Sequence, residues 1–321
     1  QLVGEAETEG QYKSVTFGSY AQVALPRIRR VQTDLDRVAV IVAEGIIMDG
    51  AQPAGRIGAE SMSELIRQAR DDDQIKALVL RINSGGGSAM ASEIIRRELE
   101  LTRMDGKPVV VSMSSVAASG AYWISVAANE IWANPTTITG SIGIFAALPT
   151  FDRSFDTIGI TTDGVGTTRL SGAFNLSRPL NPVLSETLAL SISQGYKRFI
   201  DRVVTGRHMA IEDVENVAQG RVWSAKTAYE LGLIDHLGGL SEATRSAAQL
   251  ANLDSYDVTY IEKPVSVKER MLRKIRRMIM QMTVEVFQPL DFSVIRQKLP
   301  GMPGRELEAL FQLNDPGHIY A

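Results

Sequence analysis

A serine with the setting of a nucleophile stands at position 119, in the run Pro-Val-Val-Val-Ser-Met-Ser-Ser-Val-Ala-Ala-Ser-Gly-Ala-Tyr from Pro108 to Tyr122. The run opens with β-branched residues, passes through small polar ones, and reaches Ser119-Gly120 where a helix of small residues can begin. A strand that delivers a hydroxyl to a helix N-terminus places it beside unpaired backbone N–H groups, which favour developing negative charge. Upstream, Asn83-Ser84-Gly85-Gly86-Gly87-Ser88 follows another apolar run. Consecutive glycines there let backbone amides come close to a ligand. Downstream stands Thr139-Gly140-Ser141-Ile142-Gly143. Together these stretches suit acyl transfer: a hydroxyl at Ser119 that can attack a carbonyl, with exposed backbone amides beside its oxyanion. Each also has a plain structural reading. A small serine lets a helix pack close to a sheet, a glycine run makes a tight turn, and Ser141 can be a turn serine satisfied by backbone.

The general base is harder to place. A Ser-His-Asp triad needs a histidine, and the three present, His208, His236 and His318, all lie late in the chain. His208 sits beside Arg207 at the end of a long helical pattern and reads as a C-terminal capping residue. His236, in a turn, and His318, near the end, read as surface residues.

The elements that must hold these groups alternate between strand and helix. Val-Ala-Val-Ile-Val-Ala after Arg37 is a continuous apolar run suited to a strand buried on both faces, and Gly45 ends it. Helical periodicity from Gly58 to Arg70, then a buried strand from Ala77 to Ile82, complete a β-α-β unit. A helix from Ala89 to about Thr102 precedes the Pro108 run, and a helix from Ser119 to Ala128 follows it. Ile131 to Ala133 reads as a short strand, Thr161 to Ser177 as a Gly/Thr/Ser loop. Pro182 to Arg207 reads as one long helix with Leu184, Leu188, Ile192, Tyr196, Phe199 and Val203 on a stripe. Short helices follow in 211–252, the last from Ser241 to Ala251, and Val258 to Ile261 is a candidate strand. Such alternation predicts α/β layering with short crossovers.

Composition narrows the partners. With 34 Lys plus Arg against 37 Asp plus Glu the formal charge is −3, which gives no reason to expect nucleic acid. A hydrophobic content of 44% supports a sizeable core. The absence of cysteine excludes disulfides, zinc-thiolate sites and a thiol nucleophile. No metal and no cofactor are expected. The chain opens on Gln1 without a charged n-region, an apolar h-region or a run of about 18 apolar residues, so it reads as a fragment or processed piece. Residues 1–36 read as a remnant of a preceding domain plus a linker, 37–262 as the catalytic domain, and 263–321 as a C-terminal helix and tail. The helix of that tail, Val267 to Met282, sets Arg270, Arg273, Lys274, Arg276 and Arg277 against Met271, Ile275, Met278 and Met282. It suits an anionic membrane surface, an oligomer contact or a solvated basic face.

From about Val38 to Leu240 the chain resembles the signal peptide peptidase A family, serine peptidases of the Clp-protease/crotonase superfamily. Asn83-Ser-Gly-Gly-Gly-Ser, Ala117-Ala-Ser-Gly-Ala-Tyr-Trp-Ile-Ser and Ile138-Thr-Gly-Ser-Ile-Gly carry the resemblance. Gly195-Tyr-Lys-Arg-Phe and Gly220-Arg-Val-Trp-Ser-Ala are similar to the long, duplicated form of that family. One departure is Gly85, where the family usually has the proline of Ser-Pro-Gly-Gly; the change should loosen the turn without removing its amides.

The resemblance implies a Clp/crotonase-like α/β fold of repeated ββα units with peripheral helices. It implies Ser119 as nucleophile, Gly86, Gly87 and Gly120 as the oxyanion hole, and Ser141 near the site to orient the base. That base is a lysine in this family, its amine kept neutral by burial. In the short form the lysine lies in the same domain, but no lysine falls between Tyr122 and Tyr196, and Asn175 is the nearest counterpart. In the long form it comes from a preceding homologous half. Lys107 reads as a solvated turn residue and Lys197, beside Arg198, as a surface or interface lysine.

The function so implied is endoproteolysis of cleaved signal peptides at the periplasmic face of the bacterial inner membrane, by a bowl-shaped homo-oligomer anchored through a part that precedes this chain. Two other classes remain: a crotonase-type acyl-CoA enzyme, which would want carboxylates and an adenine pocket, and a non-catalytic scaffold half of an oligomer.

Overall fold

The computed structural model describes residues 3–8, 11–14, 35–262 and 319–320. The chain forms two compact units, Gln1–Leu35 and Asp36–Ala321. In the first, β1 (Val3–Thr8) and β2 (Gln11–Ser14) pair antiparallel. The basic helix expected at 267–282 lies outside the described residues.

The second unit is built on one sheet, and its long strands are the apolar runs of the sequence. β3 (Arg37–Glu44) precedes two short strands, β4 (Ile47–Met48) and β5 (Ile57–Gly58), and α1 (Ala59–Asp71). Then come β6 (Ile75–Ser84), α2 (Ala89–Met104), β7 (Val109–Ala118) and α3 (Gly120–Ser125). β8 (Glu130–Ala133), β9 (Ile138–Gly140), β10 (Phe145–Ala146) and α4 (Asp152–Thr157) follow. The long helix is α5 (Pro182–Arg207), followed by α6 (Ile211–Val217), β11 (Val222–Ser224) and α7 (Ala225–Glu230). β12 (His236–Leu237), α8 (Leu240–Leu250) and β13 (Asp257–Tyr260) complete the sheet, while β14 (Ile319–Tyr320) pairs antiparallel with β10.

The sheet runs β11-β9-β7-β6-β3-β13, with β8 and β12 branching from β7. All its pairings are parallel except β11 with β9. Parallel strands are covered on both faces, which is why β3, β6 and β7 each contain a continuous apolar run, Val38–Ala43, Ala77–Leu80 and Val109–Val111, rather than an alternating one. One face sends Ile41, Leu80, Val111 and Met113 into a core shared with α1, α2, α3 and the C-terminal half of α5. The other packs Val38, Val40, Ala77, Val79 and Val110 on Ala243, Ala247 and Ala248 of α8. This is the layered α/β architecture, with strand-and-helix units and peripheral helices, that the sequence leads one to expect.

β7 is the hub. Its first part, Val110 to Met113, pairs with β8, and its last part, Val116 to Ala118, pairs with β9. The strand therefore changes neighbour just before it reaches Ser119. The long helix has the predicted ends: Asn181 accepts from the Val183 and Leu184 amides, Pro182 starts the first turn, and His208 closes the last in a left-handed conformation. Its stripe is fully buried at Leu184, Phe199 and Val203, and only partly at Leu188, Ile192 and Tyr196. Residues 159–172 are exposed throughout, in line with the loop expected there. No helix among the described residues is long and apolar enough to cross a membrane.

Three local expectations are corrected. The helix expected at 119–128 is shorter, α3 spanning Gly120–Ser125, so that Ser119 stands outside it as the residue before the first turn. His236 lies in strand β12, not a turn, stacked on Trp132 at 4.4 Å and half-exposed. Lys107 is not a solvated turn residue: its Nζ donates to the carbonyls of Ala69, Arg70 and Asp72, the last at 2.7 Å, and so satisfies the C-terminus of α1. Burial there pushes its ammonium below the ordinary lysine pKa.

Candidate active site

Ser119 is held in a backbone conformation that favours glycine, with φ 56° and ψ −119°. Its N–H donates to the Gly140 carbonyl at 2.8 Å and its carbonyl accepts from the Trp123 amide at 2.9 Å. The first bond ties the turn to β9 and the second starts α3. A non-glycine residue in this region costs about 1–3 kcal/mol and persists only where its surroundings force it. Behind it, Tyr122 is fully buried, its hydroxyl donating to the Leu233 carbonyl at 2.8 Å, and Trp123 packs on Phe199 with 4.6 Å between ring centroids. Both therefore serve the core, and they anchor the turn that presents the serine. The Ser119 side chain makes no capping bond to the helix, and Ser119 lines a cleft of about 920 Å³.

The same cleft is lined by the glycine turn between β6 and α2, where Gly86 has φ 106° and Gly87 φ 154°. β4 braces it. The Ile47 amide donates to the Gly86 carbonyl at 3.0 Å, and the Ile47 carbonyl accepts from the Ser88 amide at 2.9 Å. Because the residues on either side of Gly87 bond to Ile47, the N–H of Gly87 itself is directed away from that strand, as in any parallel ladder. A Cβ on Gly87 would come 2.1 Å from the Ile47 carbonyl oxygen, so only glycine fits.

The three expected oxyanion donors are not equivalent. The Gly86 N–H donates to Ser84 Oγ at 3.1 Å and is engaged. Gly87 lines the cleft, and its N–H has no hydrogen bond among the described residues. Gly120, next to Ser119, is the first residue of α3, where a backbone N–H has no partner within the helix. Ser141 also lines the cleft; its φ is 52° and its amide donates to the Arg221 carbonyl at 2.7 Å.

No lysine, histidine or carboxylate is among the described residues lining the cleft; Tyr196 is the one titratable side chain there. His208 caps α5 and His236 stacks on Trp132, both away from Ser119. Lys107 is committed to α1 and Lys197 is exposed. Asn175 lies in the exposed loop, its Oδ1 accepting from the Ser177 amide at 3.0 Å. The remaining walls add Ile46, Val116, Ile144, Phe145 and Gln219 to the serines and glycines. The wall residues Ile46, Phe145 and Gln219 carry no sequence motif, and only their place in the fold brings them to the site. Chemically, the described residues of the site supply a presented hydroxyl, amides suited to an oxyanion and apolar walls, and among them is no lysine, histidine or carboxylate to take the hydroxyl proton.

Residues 102–254 match the profile of peptidase family S49. The chain is similar to Protease 4 of Salmonella typhi, 38% identical over 99% of this chain and 50% of that protein. It is also similar to a Synechocystis protein named as a protease, 30% identical over 73% of this chain and 82% of that protein. A third relative, an Enterococcus faecium protein whose name includes signal peptide peptidase, is 29% identical over 61% of this chain and 57% of that protein. The chain spans about half the length of the first curated relatives it matches.

Proposed function

Because the chain belongs to peptidase family S49, we propose that it is the nucleophile-bearing half of a serine endopeptidase. The observation that carries this reading is Ser119 itself, held at φ 56° at the head of α3 and lining a cleft that Gly87 also lines. Ser119 Oγ attacks the substrate carbonyl, the C–O bond forms, and the carbonyl electron pair moves onto oxygen. The N–H groups of Gly87 and Gly120 receive that oxyanion; each such donor contributes roughly 3 to 4 kcal/mol to the transition state. The serine proton passes to a base and from there to the departing amine. Water then hydrolyses the acyl-serine ester by the reverse transfer.

The base is a lysine from outside the described residues, forming a Ser/Lys dyad with Ser119 once the protein is whole. It is supplied by a homologous half preceding residues 1–36, and Ser141 orients its amine by hydrogen bonding. A buried amine surrounded by Ile46, Val116 and Ile144 is held neutral by desolvation, the state that accepts a proton. The substrates are cleaved signal peptides, whose apolar segments match the apolar walls, processed by a homo-oligomer at the periplasmic face of a bacterial inner membrane. The name borne by the Enterococcus relative supports that substrate class. The acyl-CoA alternative is disfavoured by the lack of a carboxylate among the described cleft residues.

Hydrolysis of an apolar peptide by the 321-residue chain and by the full-length protein tests the division of labour. The full-length protein is expected to cleave and the chain alone to be nearly inactive. Robust cleavage by the chain alone, abolished by Ser119→Ala, would sink the shared dyad.

A further inference from the structure

Three glycines in succession between β6 and α2 leave a turn with little stiffness of its own, yet the proposed chemistry requires one of its amides to be aimed. Braces come from two sides. Ile47 holds the Gly86 carbonyl and the Ser88 amide, at 3.0 and 2.9 Å. On the other side Ser84, the last residue of β6 and 4% exposed, accepts the Gly86 N–H at 3.1 Å. Its hydroxyl lies 3.5 Å from the Gly86 carbonyl oxygen, and no other hydrogen bond joins that hydroxyl to the described residues.

The effect on the next residue is geometric. Gly86 sits at φ 106°, a value open to a glycine but not a deep minimum for it, and fixing its N–H fixes the plane of the peptide before it. Ile47 fixes the plane after it through the Gly86 carbonyl, and that is the plane that carries the Gly87 N–H. With either brace gone, this plane can rotate and the free amide leaves the cleft. Residue 85 offers no help. Gly85 has no atom within 4 Å of where a Cβ would stand, its N–H has no hydrogen bond among the described residues, and its φ lies outside the left-handed range.

We propose that Ser84 is a positioning residue for the oxyanion side of the site, which aims the Gly87 N–H by engaging the Gly86 N–H and so supplies the stiffness a ring at residue 85 would otherwise give. The inference rests on Ser119 being the nucleophile and on Gly87 being a donor. A misaimed donor lowers kcat and leaves KM alone, because the bond it makes strengthens only as the oxyanion forms.

The test uses Ser84→Ala in the full-length protein, with peptide hydrolysis, fluorophosphonate labelling of Ser119 and backbone hydrogen exchange of the 84–88 segment. The expected result is a kcat lower by roughly tenfold with KM within about twofold. The thermal midpoint should barely move, exchange in 84–88 should quicken, and Gly85→Pro added to Ser84→Ala should restore most of the rate. Wild-type kcat in Ser84→Ala, or a double variant no faster than Ser84→Ala, would overturn the inference and leave the nucleophile assignment intact. If wild-type Ser119 does not react, the proposed function falls instead, and exchange still decides: unchanged protection of 84–88 in Ser84→Ala overturns the role of Ser84.

Discussion

Two turns after neighbouring strands line the same cleft, and they reach their geometry by opposite means. The β7–α3 turn places a serine where glycine is favoured and holds it there with Gly140, Trp123 and the buried ring of Tyr122. The β6–α2 turn uses three glycines, each free to adopt its angle, and is stiffened from outside by Ile47 and Ser84. One turn stores strain in the backbone of the residue proposed to react. The other needs no side chain at the proposed donor, a backbone amide, and a Cβ would only close the gap to Ile47. A nucleophile needs a residue with a particular atom and a rigid seat; a donor needs only an amide and room.

The sharpest way to break this contrast is Gly87→Ala. Its Cβ would stand 2.1 Å from the Ile47 oxygen, so the turn must move and the donor with it. Peptide hydrolysis by the full-length variant should fall roughly 10²- to 10³-fold, the cost of losing one oxyanion donor. The next effect is on stability. Ser119→Gly removes the strained φ that Ser119→Ala keeps, so both variants should be inert while the glycine one is more stable by about 1 kcal/mol in chemical denaturation. Equal stabilities would show that the serine seat is unstrained.

Gly85→Pro in the wild-type background should raise stability by about 0.4–1 kcal/mol with activity retained, because the position has room and no engaged N–H. Lost activity would place the Gly85 amide in the chemistry. Last, Lys197→Met should leave kcat and KM unchanged, since Lys197 is exposed on α5 and does not line the cleft. A loss of kcat with an altered pH profile would make it the missing base.

What could be read from the chain follows from what each feature depends on. The long strands announce themselves because parallel strands buried on both faces carry continuous apolar runs, as Val38 to Ala43 and Ala77 to Leu80 do. The ends of α5 are equally plain, since Asn181, Pro182 and His208 act on the backbone beside them. Ser119 was legible because strand, serine and small-residue helix are consecutive.

Features that depend on distant partners were not legible. Val222–Ser224 is a strand because Ile138–Gly140 offers it an edge, and β7 divides between two neighbours for reasons its own residues do not carry. Lys107 looks like any lysine in a turn until folding brings the end of α1 over it. The inequality of the oxyanion glycines was hidden in the same way. Gly86 and Gly87 are identical as letters, and only the fold shows that Ser84 engages the N–H of the first and leaves that of the second.

The central claim is that Ser119 is the reactive atom of a site that works only when the protein is whole. Reaction of the full-length protein with a fluorophosphonate, followed by peptide mapping of the adduct, tests it most directly. The account predicts a single adduct on the peptide carrying Ser119, absent in Ser119→Ala and barely formed on the 321-residue chain alone. An adduct on another serine, or none on a full-length protein that hydrolyses peptides, would contradict it.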